Sequence, residues 1–224
     1  MKRIVIISLT LVLLSVTFFS SAFIPKHAFV ATTRFVQQYF KTDFYQENLL
    51  LKLQNEDLKA QLQRVKDGDS EPPNRQPRLE AHIFSTYPFN MKDTIVIDRG
   101  SDDGVAPTMA VVVSDSILLG QVMSVDRHTA TVRTVFDSHW QLPVRIGSDN
   151  VNGLFEGGTN PSITLVEKSI KVGDGVFAAA KEFPMGIKIG DVDTIQEDAG
   201  GIFKAATIRT PYTIGDITTV SVLQ

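Results

Sequence analysis

Residues 44–65, FYQENLLLKLQNEDLKAQLQRV, contain neither glycine nor proline. Leucine, glutamine, lysine and glutamate dominate this stretch, and these residues favour helix. Its apolar residues recur with the seven-residue period of a coiled coil, in which positions a and d form one stripe that needs a partner. We therefore predict a helix that carries a dimer seam, whose members are Phe44, Asn48, Leu51, Asn55, Leu58, Leu62 and Val65.

The polar members of the dimer seam indicate a parallel dimer in fixed register. Asn48 and Asn55 fall on position a, where an asparagine is costly unless it faces its twin. Glu47 falls on g and Lys52 on e, so the two can form an ion pair across a parallel homodimer. The seam covers only about three heptads, close to the marginal length for an isolated helix. An amphipathic helix that lies on its own domain is the alternative.

The composition excludes several classes of function. The chain has 224 residues, 43% of them hydrophobic, a net charge of -3 and no cysteine. This length fits one domain or two small ones with accessory segments. The mild acidity gives no electrostatic footprint for nucleic acid. Without cysteine there are no disulfides, thiol nucleophiles or thiolate metal sites.

The N-terminal region predicts a membrane anchor. Residues 4–24 contain no charged side chain and are long enough to cross a bilayer, which takes about 20 residues. Lys2 and Arg3 precede this stretch and Lys26 follows it, so residues 1–3 should stay in the cytoplasm and the rest should be exported. A signal peptide cleaved near residues 20–22 is the alternative, but its apolar core would be unusually long.

The remaining chain divides into three segments. Pro25 ends or kinks the anchor, and residues 29–66 follow as helix. Residues 67–78 contain three prolines and predict an extended linker. From residue 79 to 224 the hydrophobic period changes to two, in about a dozen short β-rich runs separated by turn residues. The predicted fold class is therefore mainly β, with two small antiparallel β-barrel subdomains behind the anchor and the coiled coil.

Three groups of motifs in the β region resemble the MreC family of bacterial rod shape-determining proteins. They are IVIDRGSDDGVAPTMAVV with LLGQV (residues 95–122), LPVRI with NGLFEGG (142–158), and VGDGV with FPMGIKIGDV (172–192). Ala178, Ala179 and Ala180 stand where the family usually has Thr-Ser-Gly. The glycines of these motifs, which we predict at turns, are Gly100, Gly104, Gly120, Gly153, Gly173, Gly186 and Gly190. For Gly120, inside an apolar run, a bulge or bend is the expectation.

The resemblance implies a single-pass protein of the cytoplasmic membrane whose exported part is a non-catalytic scaffold of the cell-elongation machinery. It implies a role in cell shape and peptidoglycan synthesis. The partners it implies are the membrane protein MreD, the actin-like MreB system, and the elongation transpeptidase with its glycosyltransferase. The dimer seam adds a second copy of this chain, with higher assemblies left open.

The sequence offers no recognisable catalytic group. No serine lies in a nucleophile context such as Gly-x-Ser-x-Gly, and a triad would need converging geometry. The four histidines fit ordinary strand and loop positions, and they are His27, His82, His128 and His139. We therefore expect no enzyme activity, although a relative of the barrel-type proteases is an alternative.

We also expect no metal and no cofactor. The spacing of Asp98, Asp102 and Asp103 does not match a calcium-binding EF-hand loop, and aspartates commonly cap their own backbone in turns. Asp174 and Asp191 each follow a glycine and receive the same interpretation. The scattered histidines form no transition-metal cluster.

Partner binding through surfaces is the remaining function. Phe136 and Trp140 flank a loop, but we expect them in the core, where large aromatic residues are mostly buried. Strand edges and an apolar patch of the β region are the predicted contacts for partner proteins. A periplasmic adaptor of an export pump is the second alternative, and it is disfavoured because one helix precedes all the strands.

Overall fold

The computed structural model describes residues 46–62, 77–85, 92–197 and 203–224, which form one helix, twelve strands and two short 3-10 turns. Helix α1 covers residues 46–62. The strands are β1 Arg78–Ser85, β2 Thr94–Ile97, β3 Ala110–Val113, β4 Ile117–Val125, β5 Ala130–Thr134, β6 Gln141–Ile146, β7 Val151–Glu156, β8 Ser162–Val166, β9 Gly175–Ala178, β10 Lys188–Glu197, β11 Lys204–Arg209 and β12 Thr219–Leu223. The 3-10 turns are Ser101–Asp103 and Ile214–Asp216. From Leu49 to Gln224 the chain forms one compact unit.

The twelve strands close into two six-stranded barrels. In the order β4-β3-β12-β1-β2-β5, the first barrel closes by pairing of β5 with β4. In the order β11-β8-β7-β6-β9-β10, the second closes by pairing of β10 with β11. All pairs within each barrel are antiparallel. The predicted fold class, mainly β with two antiparallel barrels, is confirmed, and β12 returns the end of the chain to the first barrel.

The predicted period of two is visible in the barrel walls. Burial alternates strictly along β2 and β6, so one face of each strand fills the barrel and the other faces outward. In contrast, all four residues of β3 and the first four of β4 are buried. A strand whose residues are buried on both faces has other parts of the protein packed on both faces. The outer face of the barrel wall is therefore covered at β3 and β4.

The two barrels meet at β4 and β10. The pair is parallel and joins Lys188 with Ile117, and the backbone N–H of Lys188 donates to the carbonyl of Ser116 at 2.8 Å. Close by, the hydroxyl of Tyr212, on the connection from β11 to β12, donates to the carbonyl of Leu118 at 2.6 Å. Burial raises the pKa of Tyr212, so this hydroxyl keeps its proton and remains a donor.

Closure of both sheets corrects the expectation of free strand edges. Each of the twelve described strands has a hydrogen-bonded neighbour on both sides. Barrels remove edges because the last strand pairs with the first. None of the described strands therefore offers a whole open edge for strand addition.

Several predicted segments lie outside the described residues. They are the anchor at residues 4–24, the first part of the predicted 29–66 helix, and nearly all of the 67–78 linker. Among the described residues, no helix has both the length and the apolar character that crossing a membrane requires.

Candidate interaction surface

Helix α1 has a buried face and an exposed face on opposite sides. The docking face, which packs onto the barrels, consists of Leu49, Leu53, Glu56, Asp57 and Ala60. These positions follow the spacing of one helical stripe. The leucines at 51, 58 and 62 are 57%, 59% and 61% exposed, and Leu62 also lines a pocket beside the second barrel. One stripe of the helix is therefore covered by its own domain, and the other is open to a partner.

Asp57 fixes the docking face to the first barrel. Its carboxylate accepts hydrogen bonds from the hydroxyl of Ser114, from the backbone N–H of Asp115 at 3.0 Å, and from the backbone N–H and hydroxyl of Ser116 at 2.8 and 2.7 Å. These residues form the docking turn, 114–116, between β3 and β4. Asp57 is only 4% exposed, and four donors satisfy its buried charge.

Glu56, the preceding residue, fixes the same helix to the second barrel. Lys188 of β10 is 2% exposed and donates to the carboxylates of Glu56 and Asp191, the latter at 2.9 Å. Lys59 donates to Glu56 at 2.8 Å from the outer side. We call these four residues the ion cluster. Consecutive acidic residues thus contact different barrels, so the helix bridges the joint between them.

The ion cluster shifts the pKa values of its carboxyl groups in opposite directions. Burial acts to raise the pKa of Glu56, but hydrogen bonds from Lys188 and Lys59 outweigh it, and the pKa lies below its ordinary value. Burial also raises the pKa of Asp191. The hydrogen bond from Lys188 offsets only part of this effect, so the pKa of Asp191 lies above its ordinary value. The hydrogen bond to Glu56 raises the pKa of Lys59. Lys188 thus has two carboxylate partners, of which Glu56 belongs to the docking face.

The structure places the predicted seam residues without testing the dimer. Asn48, Leu51, Asn55, Leu58 and Leu62 lie on α1, and all five side chains are exposed. Phe44 and Val65 lie outside the described residues. The proposed partners Glu47 and Lys52 are both exposed, as a pair between two copies requires. The seam and the ion pair therefore stay predictions, and nothing in the docking face competes with them for the same side of the helix.

The seven motif glycines occupy two kinds of position. Gly104, Gly173 and Gly186 have positive φ angles of 86°, 90° and 77°, and Gly100 precedes the 3-10 turn Ser101–Asp103. The other three lie inside strands instead of turns, and they are Gly120, Gly153 and Gly190. The pairing of β3 with β4 shifts register next to Gly120, in agreement with the bulge expected there. A Cβ at Gly120 would lie 2.0 Å from the carbonyl oxygen of Arg133 in β5. These strand glycines therefore allow close approach of neighbouring elements.

The aspartates of the motifs are structural, with one departure from expectation. Asp103 accepts a hydrogen bond from the N–H of Gly100 at 3.0 Å, and Asp174 accepts one from the N–H of Lys171 at 2.7 Å. Both cap turns, as predicted. The prediction was wrong for Asp191, which lies within β10 and pairs with buried Lys188. A glycine before an aspartate indicated a turn, but this glycine belongs to a strand.

The described histidines lie on the surface next to aspartates. The pairs are His82 with Asp98, His128 with Asp102, and His139 with Asp137, and their histidine side chains are 61%, 77% and 90% exposed. In the described part of the chain, no hydrogen bond joins one of these histidines to a serine. His27 lies outside the described residues.

The aromatic pair is part of the core, as expected. Trp140 is 5% exposed, and its ring contacts those of Phe155 and Phe183 edge-on, with centroids 6.4 and 6.2 Å apart. Phe136 is partly buried against Tyr212.

Among residues 46–62, 77–85, 92–197 and 203–224, no group of three histidine or acidic side chains is placed to hold a metal ion.

The sequence left open a helix that lies on its own domain, as α1 does, but it did not indicate which face docks. In the heptad pattern the members of the docking face fall on positions b, c and f, which normally face solvent. Leu53 and Ala60 at position f were the available signal, since two apolar residues seven apart on the outer side of a coiled coil need cover. Glu56 and Asp57 resembled ordinary surface charges, because their partners lie far along the chain.

The family model for the rod shape-determining protein MreC, barrel core, matches residues 83–224. The chain belongs to the MreC family. The resemblance predicted from the motifs is therefore confirmed, and the match covers both barrels. MreC is a cell shape-determining family and not an enzyme family.

The cell shape-determining protein MreC of Listeria monocytogenes is 32% identical over 188 residues, which cover 78% of this chain and 61% of that protein. MreC of Bacillus subtilis is 25% identical over 191 residues, which cover 77% of this chain and 64% of that protein. The chain thus spans less than two thirds of the length of these MreC relatives.

Solved MreC structures share the fold. The structure of MreC from Listeria monocytogenes has a TM-score of 0.62 at 25% identity and covers 89% of this chain and 94% of its own. A complex of a penicillin-binding protein (PBP2) with MreC from Helicobacter pylori has a TM-score of 0.53 at 13% identity, over 66% and 98% of the two chains. Helix α1 precedes the residues that the MreC family model matches, so the docking face lies outside the matched core.

Proposed function

We propose that this chain is a membrane-anchored, dimeric scaffold of the cell-elongation machinery that acts outside the cytoplasmic membrane. The observation that carries the proposal is the division of α1 into a docking face and an exposed dimer seam. A coiled coil held against its own barrels presents two copies of the domain side by side. Such a protein contributes contact surfaces, and it acts by binding one state of its partners better than another.

The proposed chain organisation follows the sequence. Residues 1–3 lie in the cytoplasm, 4–24 form the single-pass anchor, 29–66 the helix with the dimer seam, 67–78 the linker, and 79–224 the exported barrels. An uncharged stretch of this length supports the anchor. The excess of positive charge before it supports an exported C-terminal domain.

The proposed partner outside the membrane is the elongation transpeptidase. Its support is the complex in which MreC of Helicobacter pylori is bound to the penicillin-binding protein PBP2, a complex whose MreC shares the fold of this chain. MreD, the MreB system and the elongation glycosyltransferase are proposed from family membership. A parallel homodimer, with further assembly along its surfaces, is proposed from the seam.

Depletion of this protein in a rod-shaped host tests the proposal. We expect cells to become round and new wall material to be misplaced. Rescue by the wild-type chain should restore rods, whereas a chain with Leu51→Glu and Leu58→Glu should restore them poorly. Cells that keep their rod shape but change in drug efflux would contradict the scaffold and favour an adaptor of an export pump.

A further inference from the structure

The docking face and the dimer seam alternate along the same few turns of helix. Asp57, which binds the docking turn, is followed directly by Leu58, which belongs to the seam. The seam side chains and the docking side chains lie on opposite sides of α1, so no residue belongs to both sets. Both faces nevertheless need the same backbone to be helical.

Both faces lie within residues 46–62, the described part of the proposed 29–66 helix. In proteins, helix propensity alone contributes little to the order of such a segment. Most stability of such a helix must come from packing on something else. The docking face supplies that packing through buried Leu53 and Ala60, four hydrogen bonds to Asp57 and the ion cluster.

We infer that docking of α1 on its own barrels and pairing of the dimer seam with a second copy of this chain are positively coupled. The inference deepens the proposed dimeric scaffold and rests on it. A docked helix is ordered and offers a complete seam, so less conformational entropy is lost when the second copy binds. By linkage, the second copy strengthens docking by the same factor.

The coupling is amplified by symmetry. Only chains with an ordered helix can pair, and the dissociation constant rises as that competent fraction falls. Both copies must be competent, so the fraction enters twice. A loss of docking that lowers the ordered fraction about threefold therefore weakens the dimer about tenfold. A protein that binds residues 114–116 would displace Asp57 and loosen the dimer without touching the seam.

The test uses the full chain in detergent micelles, with dimer dissociation constants from fluorescence energy transfer. Because the sequence has no cysteine, a Thr159→Cys variant carries donor or acceptor dye at one exposed site. Asp57→Asn should raise the dissociation constant about tenfold. Ser116→Ala, which removes one of the four donors, should raise it by a smaller factor. Asp149→Asn, the same charge change at an exposed hairpin residue, should leave it unchanged.

Hydrogen exchange tests the reverse effect, that of dimer formation on the docking of α1. The backbone N–H of Ser116 donates to Asp57 and reports docking directly. It should exchange faster in the monomeric Leu58→Glu chain than in the wild-type dimer. If Asp57→Asn or Ser116→Ala speeds exchange of the Ser116 N–H but leaves the dimer dissociation constant unchanged, docking and dimer formation are not coupled and the inference is wrong. A wild-type chain that remains monomeric at every concentration would instead contradict the proposed dimer itself.

Discussion

The carboxylate of Asp57 accepts hydrogen bonds from both the backbone N–H and the hydroxyl of Ser116, which lies 59 positions further along the chain. Together with the ion pair from Glu56 to Lys188, this contact makes the helix part of the barrel domain. The helix that we propose to join two copies is therefore held by the joint between the barrels. The orientation of the barrels relative to α1 is fixed by side chains of its docking face.

Loss of Asp57 should destabilise the domain strongly. Asp57→Ala leaves the donors of residues 114–116 without their acceptor in a buried site, and we expect the free energy of unfolding to fall by about 2–4 kcal/mol. Urea unfolding of the full chain measures this. Asp149→Asn, at an exposed position, should change it by no more than about 0.5 kcal/mol. Equal effects of the two substitutions would show that Asp57 does not hold the helix.

Replacement of Lys188 should remove the buried cation that two carboxylates share. Lys188→Met keeps most of the side-chain length, but Glu56 and Asp191 lose their buried cation and only Glu56 retains Lys59, at an expected cost of about 3–5 kcal/mol. A double variant with Glu56→Gln should recover part of this loss, since one unpaired charge is removed. Lys181→Met, at an exposed site, is the control. An additive double variant would contradict the direct ion pair.

The contribution of Glu56 should depend on pH. Its folded-state pKa is lowered, so its ionised form stabilises the fold above the unfolded value of 4.5, and this contribution is lost as pH falls below that value. The difference in unfolding free energy between wild type and Glu56→Gln should therefore be largest near neutral pH and shrink below about 4.5.

Asp191, which also binds Lys188, should show the opposite dependence of stability on pH. The pKa of Asp191 is raised, so its charge costs stability above the unfolded value of 3.8 and the cost disappears as pH falls. The difference between wild type and Asp191→Asn should accordingly change in favour of wild type on acidification. Unfolding at several pH values tests both, and parallel trends for the two variants would contradict the assigned directions.

Charges in the dimer seam should separate the two copies. Leu51→Glu and Leu58→Glu place carboxylates opposite their twins, where burial and like-charge repulsion both oppose pairing. Analytical ultracentrifugation of the full chain in detergent should then give monomers. Leu165→Glu makes the same change at a leucine of β8 that is 53% exposed, and it should leave dimers intact. Dimers that survive both helix substitutions would rule out the seam.

A methyl group at a strand glycine should disturb the second barrel. A Cβ at Gly190 would lie 2.5 Å from the carbonyl oxygen of Arg209, and backbone must shift to admit it. We expect Gly190→Ala to cost about 1–3 kcal/mol in thermal unfolding experiments. At Gly215 nothing lies within 4 Å of the added Cβ, so Gly215→Ala should be close to neutral. Similar melting temperatures for both variants would contradict this account of Gly190.

The barrels were predictable because their signals are local. Alternation of period two and regularly spaced turn glycines predict a dozen short strands, and that number cannot remain one open sheet. The docking face was not predictable in the same way. Its partners lie 57 to 59 positions away for Asp57 and 132 positions away for Glu56. Local periodicity carries no information about contacts at that separation. Asp191 was misassigned for a different reason, because the glycine before it indicated a turn but lies within β10.

A scan of single cysteines along residues 51–62 tests most directly that α1 docks by one face and pairs by the other. The natural chain has no cysteine, so each disulfide-linked dimer formed on oxidation of membranes reports one position. We predict cross-linking maxima at residues 51, 55, 58 and 62, and minima at 53, 56, 57 and 60. Uniform cross-linking, or maxima on the docking face, would contradict the two-faced helix.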